Sequence, residues 1–272
     1  MSFIILLLGG GDLASGVAVR LHRSGFRVAV TELPHPLAVR RTVAFAEAIY
    51  AGEVQVEEVT GRRVNDSSDT LKILRVFAQN QIPVLVDPKA EVIKSLRPTV
   101  VIDARMSKRP SDIGKYSATL VIGLGPGFVA GENCHCVVET NRGHNLGRAI
   151  WQGSAESDTG IPDSVLERGK ERVLRAPVSG IITAHASICD RLEEGQLIAE
   201  VSGQLVRAPF DGVLRGLIYP GLAVEAGLKI GDLDPRDDPG LCRQVSDKAL
   251  AVGGGVLEAI LSRRELRSQF WT

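Results

Sequence analysis

The residues best suited to chemistry begin at Gly9-Gly10-Gly11-Asp12-Leu13-Ala14-Ser15-Gly16. Glycines let a backbone come close to a ligand, and the free N–H groups at a helix start can hold an anion. An exposed helix N-terminus stabilises an anionic charge by about 0.3–1 kcal/mol, so several amides have to converge on it. The spacing is G-x-G-x-x-x-x-G rather than G-x-G-x-x-G, but Glu32 falls about where the dinucleotide fingerprint places its ribose-binding acid. Gly9, Gly11, Asp12, Ser15, Gly16 and Glu32 are therefore candidate cofactor-binding residues. A tight strand–helix turn capped by Asp12 would use the same residues. Asp103, Arg105, Gly123, Gly125 and Gly127 join the candidates because each follows an expected strand, at the edge where open α/β sheets bind ligands.

Anion clamps are expected from Arg40 and Arg41, from Lys108 and Arg109 beside Arg105, and from Arg142. A solvated surface would also accept each of them. On an extended strand His135, Val137 and Glu139 point to one face, and His144 follows in a turn marked by Gly143. His135, Glu139 and His144 are candidates for zinc binding or general acid–base work, or equally for a structural hydrogen-bonded network. Their spacing matches no strong zinc signature, so no metal site is assigned. Cys134 and Cys136 share the opposite face as a metal or redox pair or as core filler; Cys189 and Cys242 show no partner.

These residues have to be positioned by regular elements. Phe3 to Leu8 is a continuous apolar run, as in a central parallel strand buried on both faces. Leu13, Val17 and Leu21 follow at helical spacing, Gly25 stands at the C′ position, and Phe26 to Thr31 is a second strand. The alternation goes on with a helix over 68–80, a strand over 82–86, a helix over 90–96, and strands over 99–102 and 119–122, with a further strand possible over 134–139. Strands alternating with helices predict a parallel, Rossmann-like α/β sheet. The stretch from Gly52 to Asn65 is ambiguous, Gly153 to Gly169 reads as a linker, and Val245 to Leu266 reads as a helix interrupted by Gly253-Gly254-Gly255.

Beyond the linker the chain repeats itself. Arg175-Ala176-Pro177 recurs 32 residues on as Arg207-Ala208-Pro209, and the block at Leu192 to Ile198 recurs at the same offset as Val224 to Ile230. Paired halves this short imply two interlocked units closing a small β sandwich, because neither half can bury its apolar face alone. The expected domains are 1–170, 171–235 and a C-terminal helical segment, 236–272, that packs back on the first.

With 32 Lys+Arg against 32 Asp+Glu, the chain carries no field for a polyanion, which argues against a nucleic-acid binder. Four cysteines in 272 residues are too few for a disulfide scaffold, and no apolar run is long enough to span a bilayer. A cytoplasmic protein without membrane partners is expected.

The repeat resembles a biotinyl/lipoyl-type barrel-sandwich hybrid domain, in which a phrase like Ala208-Pro209-Phe210-Asp211-Gly212 follows the modified hairpin. No lysine lies between Lys170 and Lys229, so covalent biotin or lipoate attachment is not expected. The whole chain resembles the YqeB family of accessory proteins of selenium-dependent molybdenum hydroxylases. The resemblance is carried by Gly9 to Arg20 (GGGDLASGVAVR), Thr31 to Arg41 (TELPHPLAVRR), Asp103 to Pro110 (DARMSKRP), Gly123 to Gly131 (GLGPGFVAG), Val138 to Arg148 (VETNRGHNLGR), Lys229 to Arg236 (KIGDLDPR) and Ser246 to Glu258 (SDKALAVGGGVLE). It implies a maturation factor working with a molybdenum hydroxylase or its cofactor-assembly proteins. The ligand would bear a phosphate: a nucleotide such as NAD(P), ATP or CTP, or the molybdenum cofactor. A stand-alone NAD(P)-dependent oxidoreductase and a non-catalytic scaffold are the alternatives.

Overall fold

In a computed structural model of the protein, described for residues 3–106, 112–157 and 169–270, the apolar run at the start becomes strand β1 (Ile4–Leu8), buried along its whole length. Helix α1 (Asp12–Arg23) follows and stops in the expected way: the amide of Gly25 (φ +86°) donates to the carbonyl of His22, and that of Phe26 to Leu21. This double bond pattern satisfies the last helical carbonyls and needs a left-handed residue at C′, which glycine supplies without strain.

The chain then forms β2 (Arg27–Glu32), α2 (Ala48–Ala51), β3 (Glu53–Val56), β4 (Val59–Val64), α3 (Thr70–Ala78), β5 (Ile82–Val86), α4 (Ile93–Leu96), β6 (Val100–Asp103) and β7 (Leu120–Leu124). After these come β8 (Val129–Ala130), β9 (Cys136–Val138), β10 (Ala149–Ile150) and β11 (Gly153–Ser154). The ambiguous stretch after Gly52 is thus a hairpin, β3–β4, turned at Glu57 (φ 52°). Nine strands make one sheet in the order β10-β9-β7-β6-β1-β2-β5-β4-β3, parallel from β9 across to β4 and closed at each edge by an antiparallel strand. The chain leaves β1 toward β2 and returns to pair β6 on its other side, so the strand order reverses between β1 and β6. On one face Ile4, Leu6 and Leu8 pack with Ile73, Val76 and Phe77 of α3 in a single apolar cluster.

Helix α5 (Asp247–Ser262) runs unbroken through the three glycines expected to interrupt it, and α6 (Arg264–Phe270) follows. Tight packing explains the continuity. A Cβ on Gly253 would meet the backbone of Val17 in α1 at 3.2 Å, and one on Gly255 would lie 1.9 Å from the carbonyl oxygen of Gly147. The glycines' low helix propensity is offset by the close approach they permit.

The chain divides into two compact units, one holding residues 1–36, 45–158 and 245–272, the other 37–44 and 159–244. The second therefore includes a short segment from early in the chain and runs past the expected limit of 235. Its strands are β12 (Val173–Arg175), β13 (Gly180–Ala184), β14 (Arg191–Leu192), β15 (Leu197–Val201), β16 (Gln204–Arg207), β17 (Gly212–Leu217), β18 (Ala223–Val224) and β19 (Lys229–Asp234). They form two antiparallel sheets, β12-β19-β17-β14 and β16-β15-β13-β18. The repeat offset maps β12–β15 onto β16–β19, so each sheet takes two strands from each half. The bonds repeat as well: Gly195 N–H donates to Ala208 O and Gly227 N–H to Ala176 O, both at 2.8 Å.

Among the described residues no helix is long and apolar enough to cross a membrane.

Candidate functional site

Parallel strands end at a common edge, and here β1, β2, β6 and β9 are each followed, or closed, by one of the residues singled out in the sequence, and β5 by a further carboxylate, Asp87. Glu32 closes β2; its carboxylate accepts the amides of Gly10 and Leu33, both at 2.7 Å. Burial pushes its pKa above the ordinary value. Asp87, one residue past β5, is buried and accepts the amides of Glu91 (3.0 Å) and Val92 (2.9 Å). Asp103 closes β6, is buried, and holds the Arg105 guanidinium through bonds of 3.0 and 2.7 Å. Glu139, after β9, is 1% exposed and accepts three amides at 2.7 Å: Thr140 and Asn141 on one oxygen, Glu156 on the other. The carboxyl edge is thus a row of carboxylates, most of which tie down the loop that follows.

The glycine turn lies at the strand-order reversal. Gly9 has φ +92°, and a Cβ there would meet Ala104 O and Arg105 Cα at 3.3 Å, so the turn lies directly against the end of β6. Two of its amides are committed, Gly9 to Thr31 O and Gly10 to Glu32. Gly10 is covered: a Cβ would come within 2.9 Å of Ala46 N, whose amide donates to Gly10 O. Ser15 is structural, its hydroxyl donating to Gly10 O at 3.0 Å and accepting the amide of Phe45 at 2.8 Å. Gly16 serves packing, since a Cβ would lie 2.4 Å from Ala249 Cβ of α5. Gly11 differs from all of these. It caps α1 in extended conformation (φ −69°), no side chain caps the helix there, and a Cβ would meet nothing within 4 Å. Asp12, in the first turn, places a carboxylate beside these amides.

The remaining candidates are held in other ways. Gly123 carries the Phe128 ring, 2.1 Å from where a Cβ would stand, and a Cβ on Gly125 (φ +73°) would lie 2.5 Å from Thr140 Oγ1. Gly127 (φ +99°) completes that turn. Arg40 is buried and donates to the carbonyls of Leu241 (3.0 Å) and Gln244 (2.9 Å), while Arg41 donates to Leu217 O at 2.8 Å and lies over the Tyr219 ring. Both arginines bind backbone carbonyls of the second unit rather than forming a clamp at the sheet edge. Arg142 makes a two-pronged pair with Asp247, both bonds 2.7 Å. Lys108 and Arg109 lie outside the described residues.

The acid–base expectation for His135, Glu139 and His144 meets a different arrangement. His135 Nδ1 accepts the Val121 amide at 3.0 Å, and its own amide donates to Val121 O, extending the ladder by one residue. Burial first, then the positive charges of Arg263 and Lys115, hold its pKa below the usual histidine value, so the ring stays neutral and keeps that acceptor. Glu139 is occupied by three amides, and His144 is exposed in its loop. Cys134 and Cys136 are fully buried, and burial pushes their thiols up to about 11 and about 12, which suits core filling better than nucleophilic or metal chemistry. Among the described residues no group of three or more His, Cys, Asp or Glu is arranged to hold a metal.

Sequence reasoning missed three features: the Phe45–Ala46 cover on Gly10, the second carboxylate on Arg105 (Asp112), and the meeting of Cys189 and Cys242 at the Leu214 carbonyl. The repeat sets Cys189 against Gly221, but nothing in the sequence marks Cys242 as its neighbour.

The fold and edge define a mixed α/β protein with a mostly parallel nine-stranded sheet, small antiparallel sheets, and a strand-order reversal beneath one uncapped helix. The chain is a homologue of the uncharacterized protein YqeB of Escherichia coli K12, 43% identical over 258 residues. That match takes in 95% of this chain but 47% of the relative, so the chain spans about half the length of the curated relative it matches. No family model matches. Among solved structures, an aspartoacylase family protein from Mesorhizobium loti aligns over 87% of this chain and 86% of its own, with 9% identity and a TM-score of 0.27. The ectoine utilization protein EutE (DoeB) from Ruegeria pomeroyi aligns over 85% and 86%, with 10% identity and a TM-score of 0.26. Likenesses this distant carry no argument about fold or function.

Proposed function

We propose that the chain is an accessory factor in the maturation of selenium-dependent molybdenum hydroxylases, with a Rossmann-like unit that binds a phosphate-bearing nucleotide or pterin and a barrel-sandwich unit that serves as structure or docking surface. The phrases from Gly9 to Glu258 that resemble that family support the maturation role. The ligand reading rests on one observation, the uncapped start of α1 at Gly11, open to solvent at the strand-order reversal. A helix start without a side-chain cap favours an anionic oxygen. The surrounding carboxylates narrow the choice. Glu32 uses one lone pair per oxygen on backbone amides, and an ionised carboxylate has about four such sites. It can still accept a ribose hydroxyl or a pterin N–H. A ligand with both an anionic group and hydrogen-bond donors fits this edge; free phosphate fits it poorly, because Asp12, Glu32 and Asp103 repel it.

Titration calorimetry of the full chain with NADH, NADPH, ATP, CTP and molybdenum cofactor tests the reading, paired with Gly11→Asp. The expected result is binding of one of these, weakened at least tenfold in the variant, whose carboxylate takes the helix amides. No heat with any of them retires the ligand assignment. Binding that Gly11→Asp leaves unchanged moves the site elsewhere.

A further inference from the structure

The repeat in the second unit sets a cysteine against a glycine. Cys189 and Gly221 are equivalent by the offset, both have φ 84°, and both amides donate at 2.8 Å to the equivalent carbonyls of Leu214 and Ile182. A left-handed position suits glycine, and the second half uses glycine. The first half bears a side chain there, at the cost of backbone strain. Cys242 comes from outside the repeat, on the 3-10 turn Pro239–Cys242. Its thiol donates to Leu214 O at 3.7 Å, the same oxygen that accepts the Cys189 amide. One carbonyl thus gathers two cysteines from separate parts of the chain, one partly exposed and one fully buried.

We infer that Cys189 and Cys242 form a dithiol site that small-molecule disulfides oxidise to an intramolecular disulfide. The Cys189 thiolate, reachable from solvent, attacks one sulfur of the small disulfide; that S–S bond breaks and a small thiolate leaves. Cys242 then loses its proton and attacks Cys189 Sγ, closing the protein disulfide and releasing the second small thiol. Two electrons pass from the pair to the small disulfide, which ends as two thiols, and the protons released by the cysteines end on them. Burial, then the neighbouring Cys189, push the Cys242 thiol up to about 12, and with Cys242 fully buried this makes Cys189 the entry point and Cys242 the resolving partner. The bond would fix the turn whose carbonyls hold Arg40 and Thr42, and with it the segment 37–44 in this unit.

The test equilibrates the native full chain with oxidised glutathione, then unfolds it, alkylates free thiols and maps the peptides. The expected result is loss of two of the four thiols, a Cys189–Cys242 linked peptide, and recovery of both thiols with dithiothreitol. Cys242→Ser should stop at a Cys189–glutathione mixed disulfide. Cys189→Gly, which fits the φ of 84°, should fold and show no link. Four alkylated thiols in the wild type, or a mixed disulfide on Cys189 with Cys242 still free, would overturn the inference.

Discussion

Whether the glycine-rich phrase serves a ligand or the fold can be decided at Gly16. A Cβ there would lie 2.4 Å from Ala249 Cβ and 2.8 Å from Val245 Cγ1, where carbon atoms prefer about 3.5–4.0 Å. Both neighbours belong to the C-terminal part of the chain, and α1 and α5 have to separate by more than an ångström to admit the methyl group. Overpacking of this kind costs about 1–3 kcal/mol. Against it stands the gain of about 1 kcal/mol when alanine replaces glycine inside a helix. Gly16→Ala should therefore lower stability by about 1 kcal/mol net, with the packing cost outweighing propensity. Ala249→Gly removes the nearest atom, so the double variant Gly16→Ala/Ala249→Gly should recover much of the loss, with a coupling of about 0.5–3 kcal/mol. Urea unfolding of the four proteins in this cycle, followed by circular dichroism, measures it. A Gly16→Ala variant more stable than wild type, or additive effects, would refute the packing role and return Gly16 to the ligand site.

Glu139→Gln exchanges one accepting oxygen for an NH₂ group facing backbone amides, so thermal unfolding should show a loss of about 1–3 kcal/mol, as for buried donors left without acceptors. Glu32 has a pKa raised by burial, so the folded state holds the proton to higher pH than the unfolded chain. Its contribution is therefore most favourable below the ordinary carboxylate pKa and falls as pH rises through the window above it. The stability gap between wild type and Glu32→Gln should shift toward wild type between pH 7 and pH 5, and a gap independent of pH would contradict the burial argument. Gly123→Ala drives a methyl into the Phe128 ring and should cost about 1–3 kcal/mol by urea unfolding. Arg142→Ala breaks an exposed pair with Asp247 and should change the unfolding midpoint by the equivalent of less than about 1 kcal/mol.

Local pattern and period were enough to read much of this protein from its residues. The buried run of β1, the helix ended by Gly25, the strands read at 82–86 and 119–122 and the twofold repeat all follow from rules that span a few residues, or from two stretches of sequence matching each other. So did the edge on which Glu32 and Asp103 fall, because strand ends can be counted along the chain; Glu139, expected inside a strand with His135, joins that edge only in the fold. What those residues bond to depends on partners that sequence distance hides. Gly10 is covered by Ala46, Gly16 meets Ala249, Gly255 meets Gly147, and Arg40 is held by Leu241 and Gln244. A glycine required for a ligand and a glycine required for a helix crossing look identical in one dimension, since both answer the same need for space at Cα. Only the folded chain, by bringing the second surface to each one, separated Gly11, which stays open, from Gly10 and Gly16, which are filled.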